Sequence, residues 1–216
     1  MLNNTKISSL RVDYKKHTLE ESGINADPLL QFNIWFDETI KLKISEPNAM
    51  TLSTSTKSGR PSSRIVLLKT IAEDGLVFFT NYDSRKGKEI AENPNCAVLF
   101  FWKELERQVR IEGKVEKIPK KDSQEYFSSR PMLSRIGAIA SPQSSVIRSR
   151  QDLEADVDQL MKTFKDKAVI PIPSNWGGYK LKPVYFEFWQ GRENRLHDRL
   201  IYEKKSKKWK ISRLAP

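Results

Sequence analysis

Two arginines and one of the chain's two histidines fall within Arg195-Leu196-His197-Asp198-Arg199. On an extended backbone alternate side chains share a face, so Arg195, His197 and Arg199 would point together and Leu196 away. Guanidinium groups beside an imidazole make a cationic, titratable surface suited to a phosphorylated ligand. A solvated strand face is the plainer alternative. A second candidate is Thr80-Asn81-Tyr82-Asp83-Ser84-Arg85-Lys86, which reads as strand, turn and helix start. Backbone N–H groups at a helix N-terminus attract anions, and Arg85 and Lys86 in the first turn oppose the helix dipole unless an anion relieves them.

Other groups carry the same suggestion of phosphate. Arg64-Ile65-Val66-Leu67-Leu68-Lys69 brackets apolar residues with cations and reads as a strand buried on both faces. Its end charges must emerge into solvent or meet anions, because an unpaired buried charge is expensive. Tyr126, Arg130 and Ser134 recur at a spacing that shares one helical face if the helix runs through Pro131. A phenol, a guanidinium and a hydroxyl converging there suit a phosphate ester; a solvent-facing coincidence is the alternative. Ser141-Pro142-Gln143-Ser144-Ser145 is a polar loop, and Trp176-Gly177-Gly178 and Trp189-Gln190-Gly191 set tryptophans beside glycines. There a ring can approach backbone closely, although a tryptophan is more often core.

Several chemistries are not indicated. The chain has no Gly-rich nucleotide loop and no Ser-His-Asp or Cys-His arrangement. With one cysteine, and with His17 and His197 far apart, no metal is expected. Cys96 lies in an apolar run, reads as a small core residue and fits a reducing cytoplasm. The chemistry therefore falls to a bound cofactor. No apolar run is long enough to span a bilayer, and the N-terminus lacks a secretory pattern. The net charge of +11 across 216 residues favours anionic partners without choosing among nucleic acid, a membrane surface and small phosphorylated molecules.

The elements that must position these residues are mainly strands. Residues 1–25 are polar and aperiodic and read as a mobile arm. Asp27-Pro28 starts a helix over about 27 to 45, with Leu29, Phe32, Phe36 and Ile40 at helical spacing. A β-meander follows: Met50 to Thr56, Ser63 to Lys69 and Leu76 to Thr80. Ser84 caps a short helix to Glu92, Ala97 to Trp102 returns to strand, and Arg107 to Lys117 alternates with Val109, Ile111 and Val115 on one face. Helical patches lie at about 120 to 130 and 131 to 140. A third carries Leu153, Val157, Leu160, Met161 and Phe164. The last strands run over Tyr179 to Trp189, Arg195 to Tyr202 and Trp209 to Arg213. Short strands with helices inserted in blocks predict a mainly β, α+β fold: an antiparallel barrel with peripheral helices.

In their joint order, the motifs above together with Glu106-Arg107-Gln108-Val109 and the terminal Arg213-Leu214-Ala215-Pro216 resemble the pyridoxamine 5'-phosphate oxidase family, from about Arg11 to Pro216. The resemblance implies a homodimeric FMN-binding split barrel over 26–216, each flavin bound between two subunits. It implies oxidation of pyridoxine 5'-phosphate or pyridoxamine 5'-phosphate to pyridoxal 5'-phosphate, with O2 reduced to hydrogen peroxide. FMN contacts would be Arg64, Ile65, Val66, Leu67, Leu68, Lys69, Phe79, Thr80, Arg85, Lys86, Gln108, Gln143, Ser144, Trp189 and Arg199. Substrate contacts would be Lys69, Tyr126, Arg130, Ser134, Arg195, Leu196 and His197, with Arg11, Val12, Asp13 and Tyr14 closing over the site and Arg195 and His197 as the catalytic pair. Two positions depart from the pattern: Phe79, where some relatives carry Tyr, and Arg135, where a neutral amide is common. On this reading the basic balance belongs partly to the site, and neither nucleic acid nor a membrane is an expected partner. Rivals are another flavin split-barrel reductase or binding protein, which would not need Tyr126, Arg130, Ser134, Arg195 and His197, and a basic nucleic-acid-binding barrel stacking bases on Trp102, Trp189 and Tyr202.

Overall fold

Asp27 starts the first helix as its place before Pro28 predicts. In the computed structural model, which describes residues 13–165 and 167–216, its carboxylate accepts from the Leu29 and Leu30 amides at 2.8 and 3.3 Å. The helix α1 spans Pro28–Lys41 and buries Pro28, Gln31, Phe32, Trp35 and Thr39. Its buried stripe is rotated from the expected one. Trp35 and Thr39 face inward, while Ile40 is exposed.

The described residues fall into two units. One takes the described part of Met1–Pro47 with Leu99–Ile111 and Val184–Pro216; the other takes Asn48–Val98 and Glu112–Pro183. Among the described residues nine strands are formed: β1 Ala49–Ser55, β2 Pro61–Leu67, β3 Thr70–Ala72, β4 Gly75–Asn81, β5 Asn95–Trp102, β6 Arg107–Lys117, β7 Trp176–Gln190, β8 Asp198–Lys205 and β9 Lys208–Leu214. Strands β5, β6 and β7 each give one part to each unit.

In the first unit, aromatic packing on α1 makes the core. Phe32 meets Phe100 at 5.0 Å between ring centroids and Trp35 meets Phe188 edge-on at 5.1 Å. Strands β7, β8 and β9 form an antiparallel meander in which Trp189 lies opposite Arg199 and Tyr202 opposite Ile211. The expected strand from Arg195 begins only at Asp198. Glu193–Arg195 is instead a 3₁₀ turn, with positive φ at Asn194 and Arg195. Arg195, His197 and Arg199 therefore do not form the alternating strand face expected of them. Positive φ at a non-glycine residue is unfavourable, and an alternation rule carries no information about such a turn.

In the second unit the strands run in the order β2-β1-β5-β6-β7-β4-β3. Position in that order corrects the reading of 64–69. β2 is an outermost strand paired only with β1, Ile65 is exposed, and only Val66 within β2 is buried. The short β3, absent from the expected meander, pairs with β4 through Thr70↔Val77. Ser84 caps α2, Arg85–Glu92, through the Gly87 amide. Helices α3, Lys120–Ser129, and α4, Met132–Ala140, are separated at Pro131, so Tyr126, Arg130 and Ser134 do not share one continuous helix. With α5, Arg150–Phe164, these helices pack around buried Phe127, Ile136, Ile170 and Trp176.

Gly87 is required where α2 leaves the Tyr82 turn. A Cβ there would sit 2.1 Å from the Tyr82 carbonyl oxygen. Gly87→Ala is expected to destabilise the protein by about 1–3 kcal/mol, the usual range for overpacking, read as a lower urea midpoint at unchanged slope. An unshifted midpoint would show that the turn can open freely.

Candidate active site

The second unit contains a cavity of about 510 Å³ in which most of the phosphate-suited motifs meet. Its lining comprises Arg64, Ile65, Val66, Leu67 and Lys69 from β2 and the residues after it, Phe79 and Thr80 from β4, and Lys86 from α2. Tyr126, Arg130, Pro131 and Ser134 come from α3, α4 and the bend between them, Gln143 from the following loop, and Trp176 from the start of β7. The bend at Pro131 does what a single helix was expected to do. It turns α4 so that Ser134 still joins Tyr126 and Arg130.

Three flat rings hold one wall. Phe79 stacks on Tyr126 at 3.9 Å and 21°, and on Trp176 at 5.4 Å and 15°. Arg130 lies over Trp176 at 4.8 Å. In the sequence Trp176 stands out only for its glycine neighbours. Its part in the cavity follows from the pairing of Asn81 with Trp176 across β4 and β7, a long-range register that no local motif encodes.

The cations here are short of counter-charge. Lys86 Nζ donates to Gln143 Oε1 at 2.8 Å and Thr80 Oγ1 at 3.2 Å, and no carboxylate among the described residues is paired with it. Burial, assisted by the charge of Arg64, pushes its pKa down to about 8. Arg130 Nη1 is buried with no hydrogen-bond partner, and burial lowers the pKa of this guanidinium. Arg135 Nε is likewise buried without a partner, although Arg135 does not line the cavity. Cations, hydroxyls and an amide around an orphaned guanidinium nitrogen fit a phosphate-bearing ligand.

Other expected contacts lie just off this lining. Leu68 is buried, Arg85 projects outward and pairs with Glu89 at 2.9 Å, and Ser144 occupies a turn with φ of 70°. Arg11 and Val12 lie outside the described residues, and Asp13 is exposed.

The remaining expected residues belong to the first unit. Trp189 packs on His197 at 4.6 Å, and Tyr14 meets both rings edge-on at 5.7 and 5.9 Å. The segment bearing Tyr14 is held by carboxylates: Glu106 accepts from the Lys15 and Lys16 amides and Asp198 from the Leu19 amide. His197 Nδ1 accepts from the Arg192 amide at 3.0 Å, so in the neutral ring the proton sits on Nε2. Burial lowers its pKa, and the Arg195 charge adds to this against Asp198. Arg199 Nε donates to Glu187 at 2.8 Å, and Arg110 binds the same carboxylate at 2.7 Å. Burial alone would raise the Glu187 pKa, but these two arginines outweigh it and the net direction is down. Gln108 is half-buried on β6, and Arg195 and Leu196 are exposed.

An antiparallel sheet with peripheral helices, carrying a ring-walled cavity in which Lys86 and Arg130 have no carboxylate partner among the described residues, defines a class of β-rich protein suited to a phosphorylated ligand. The model of the family described as pyridoxamine 5'-phosphate oxidase matches residues 36–164, and that of the pyridoxine 5'-phosphate oxidase C-terminal dimerisation region matches 176–216. Proteins named pyridoxine/pyridoxamine 5'-phosphate oxidase from Burkholderia thailandensis and Burkholderia mallei are 52% identical over 98% of this chain and all of theirs. PhzG from Burkholderia lata, solved with tetrahydrophenazine-1-carboxylic acid, superposes with a TM-score of 0.88 at 29% identity over 95% of this chain and all of its own. A pyridoxamine 5'-phosphate oxidase-related, FMN-binding protein from Nostoc punctiforme shares the fold, with a TM-score of 0.70 at 17% identity over 90% of this chain and all of its own. The chain belongs to the pyridoxamine 5'-phosphate oxidase family, a family of flavin-binding oxidoreductases, and has its mainly antiparallel split-barrel fold. The dimerisation match indicates a homodimer. Among the described residues, no helix is long and apolar enough to cross a membrane.

Two pH effects follow. Lys86 binds a phosphate dianion only as the ammonium, so affinity for a phosphate monoester is expected to hold to about pH 8 and then fall by roughly tenfold over the next unit. Calorimetry should show proton uptake on binding above pH 8, and Lys86→Met should abolish both effects; a flat profile in the parent protein would exclude Lys86. His197 favours the neutral ring in the fold, so its contribution to stability is present above its ordinary value of 6.5 and is lost as pH falls. A ring titration by NMR with its midpoint above 6.5 would contradict this.

Proposed function

We propose that this protein oxidises pyridoxine 5'-phosphate or pyridoxamine 5'-phosphate to pyridoxal 5'-phosphate, using FMN and O2, in vitamin B6 biosynthesis and salvage. The observation that carries the reading is the cavity in which Lys86 and Arg130 stand without carboxylate partners among phosphate-suited hydroxyls and amides. The names of relatives 52% identical support it. We assign strand residues Arg64 to Lys69, with Phe79, Thr80, Arg85, Lys86, Gln108, Gln143, Ser144, Trp189 and Arg199, to FMN, bound between the subunits of a homodimer. Lys69, Tyr126, Arg130 and Ser134 are assigned to the substrate's phosphate ester. Arg195, Leu196 and His197, with the N-terminal Arg11 to Tyr14, are assigned to its ring. Residues 1–25 act as an arm over the substrate and 26–216 as the FMN-binding domain. With a single cysteine the chain can form no internal disulfide, which suits a reducing cytoplasm.

FMN held by these residues would supply a two-electron acceptor for oxidation at the substrate's C4′ carbon, with O2 as the final acceptor. The alcohol consumes one O2 and yields aldehyde and hydrogen peroxide; the amine also consumes one water and releases ammonia. The chain's own part is orientation and electrostatics. Lys69, Arg130 and the Tyr126 and Ser134 hydroxyls grip the ester dianion, and the Phe79 ring holds Tyr126 in place by stacking. Neutral His197, its Nδ1 engaged by the Arg192 amide, offers Nε2–H as a donor to a substrate oxygen. Arg195 adds a permanent positive charge beside it.

An anaerobic visible spectrum of the FMN-loaded protein is expected to bleach on addition of pyridoxamine 5'-phosphate. A flavin that stays yellow with both phosphorylated vitamers would move the activity elsewhere in the family. Arg195→Ala is expected to lower kcat/KM by about ten- to a hundredfold, the range for losing a charged hydrogen bond, with FMN retention unchanged. Equal loss of FMN would overturn that division of roles.

A further inference from the structure

Glu89 has no part in the assignments above, yet it is a buried carboxylate tied to two of the cations assigned to FMN. It lies on α2 one turn after Arg85, with a side chain only 6% exposed. A negative charge beside an anion site opposes binding unless it does something else. Its contacts indicate what. Oε1 accepts from Arg85 Nε at 2.9 Å, which leaves the two terminal nitrogens of that guanidinium to act as a fork. Oε2 accepts from the hydroxyls of Thr54 and Ser62, each at 2.5 Å, and meets Arg64 Nη2 at 3.4 Å.

Those two hydroxyls also receive Arg64. Its Nη1 donates to Thr54 Oγ1 at 2.5 Å and its Nη2 donates to Ser62 Oγ. An ionised carboxylate can only accept hydrogen bonds. Both hydroxyl protons must therefore point at Glu89, and both oxygens must turn their lone pairs to Arg64. Burial alone would raise the Glu89 pKa, but the bonds from Ser62, Thr54 and Arg85 outweigh it and hold it at about 2, so this direction persists at every working pH.

We infer that Glu89 is a positioning residue that sets Arg64 and Arg85 for the phosphate end of FMN, and that preference for phosphorylated over unphosphorylated flavin runs through it. The inference rests on the FMN reading. Glutamine in its place has nearly the same shape but carries an amide N–H₂. Turned one way the amide faces the Arg85 Nε–H; turned the other it faces the Thr54 and Ser62 hydroxyls and lets them reverse. Either orientation releases one arginine.

The test is titration of the flavin-stripped, full-length protein with FMN and with riboflavin, followed by flavin fluorescence. Glu89→Gln is expected to weaken FMN by about tenfold, as for a lost charged hydrogen bond, and to leave riboflavin within about twofold. Thr54→Val leaves the Arg85 pair and the Ser62 bridge intact and removes one of the two hydroxyls between Glu89 and Arg64, so it should give a smaller loss, again for FMN alone. It also serves if Glu89→Gln does not fold. Equal losses for both flavins, or unchanged FMN affinity in folded variants, would overturn the role of Glu89. A parent protein that binds riboflavin as tightly as FMN would instead remove the cofactor reading on which the inference stands.

Discussion

A buried cation without a counter-ion is the constraint on which this structure turns. Taking an ammonium or guanidinium out of water is costly unless an opposite charge or a full set of hydrogen bonds compensates. Among the described residues, Lys86 hydrogen-bonds only to neutral oxygens of Thr80, Ser84 and Gln143, and Arg130 leaves one terminal nitrogen without a hydrogen-bond partner. The depressed pKa of Lys86 is the free-energy trace of that arrangement. Such a site survives only if the surrounding elements cannot relax to hydrate it or pair it. The Gly87 contact with the Tyr82 turn and the β4–β7 register provide that rigidity.

The ring stack serves the same end by being neutral and flat. Phe79, Tyr126 and Trp176 come from β4, α3 and β7, so one stack fixes three elements against each other without adding a polar group that could neutralise the cations. It also explains why phenylalanine suffices at position 79. Its contacts are through the ring face, and a hydroxyl is not needed for them. Arg130 lying over Trp176 gains a cation–π contact, a partial compensation that leaves its hydrogen-bonding capacity for a ligand.

Where the sequence was legible, the signal was local. Asp27-Pro28, the Ser84 cap and the alternation from Arg107 to Lys117 each translate one physical rule into one element; α2 and β6 appear with nearly the expected bounds, and α1 starts as expected but ends at Lys41, short of the expected 45. Legibility failed where the outcome depended on distant chain. The apolar run 65–68 reads as doubly buried, but β2 has a neighbour on one side only, so Ile65 faces outward. The Arg195 segment reads as strand by alternation, but positive φ at Asn194 and Arg195 places it in a turn. Trp176 and Glu89 were missed for the same reason: their neighbours arrive through β4–β7 and β1–β2 pairing, which composition does not reveal. The joint order of motifs was the strongest sequence signal because it samples many distant contacts at once.

Charge, finally, is distributed here by pairing and not by composition. In the first unit most described arginines are paired with carboxylates: Arg107 with Glu38, Arg110 and Arg199 with Glu187, Arg192 with Asp198, and Arg213 with Asp198, Glu20 and Glu21, while Arg195 stays exposed. Those pairs orient backbone and rings, holding the Tyr14 segment and the Trp189–His197 contact. In the second unit, Glu89 supplies the cavity's Arg64 with a carboxylate from behind, while Lys86 and Arg130 receive none. A net charge of +11 therefore says little about a polyanionic partner. Most exposed lysines are individually weak contributors in high dielectric, whereas Lys86 and Arg130, each without a carboxylate partner among the described residues, can each bind a phosphate strongly. The chemistry lies where the fold has withheld a partner.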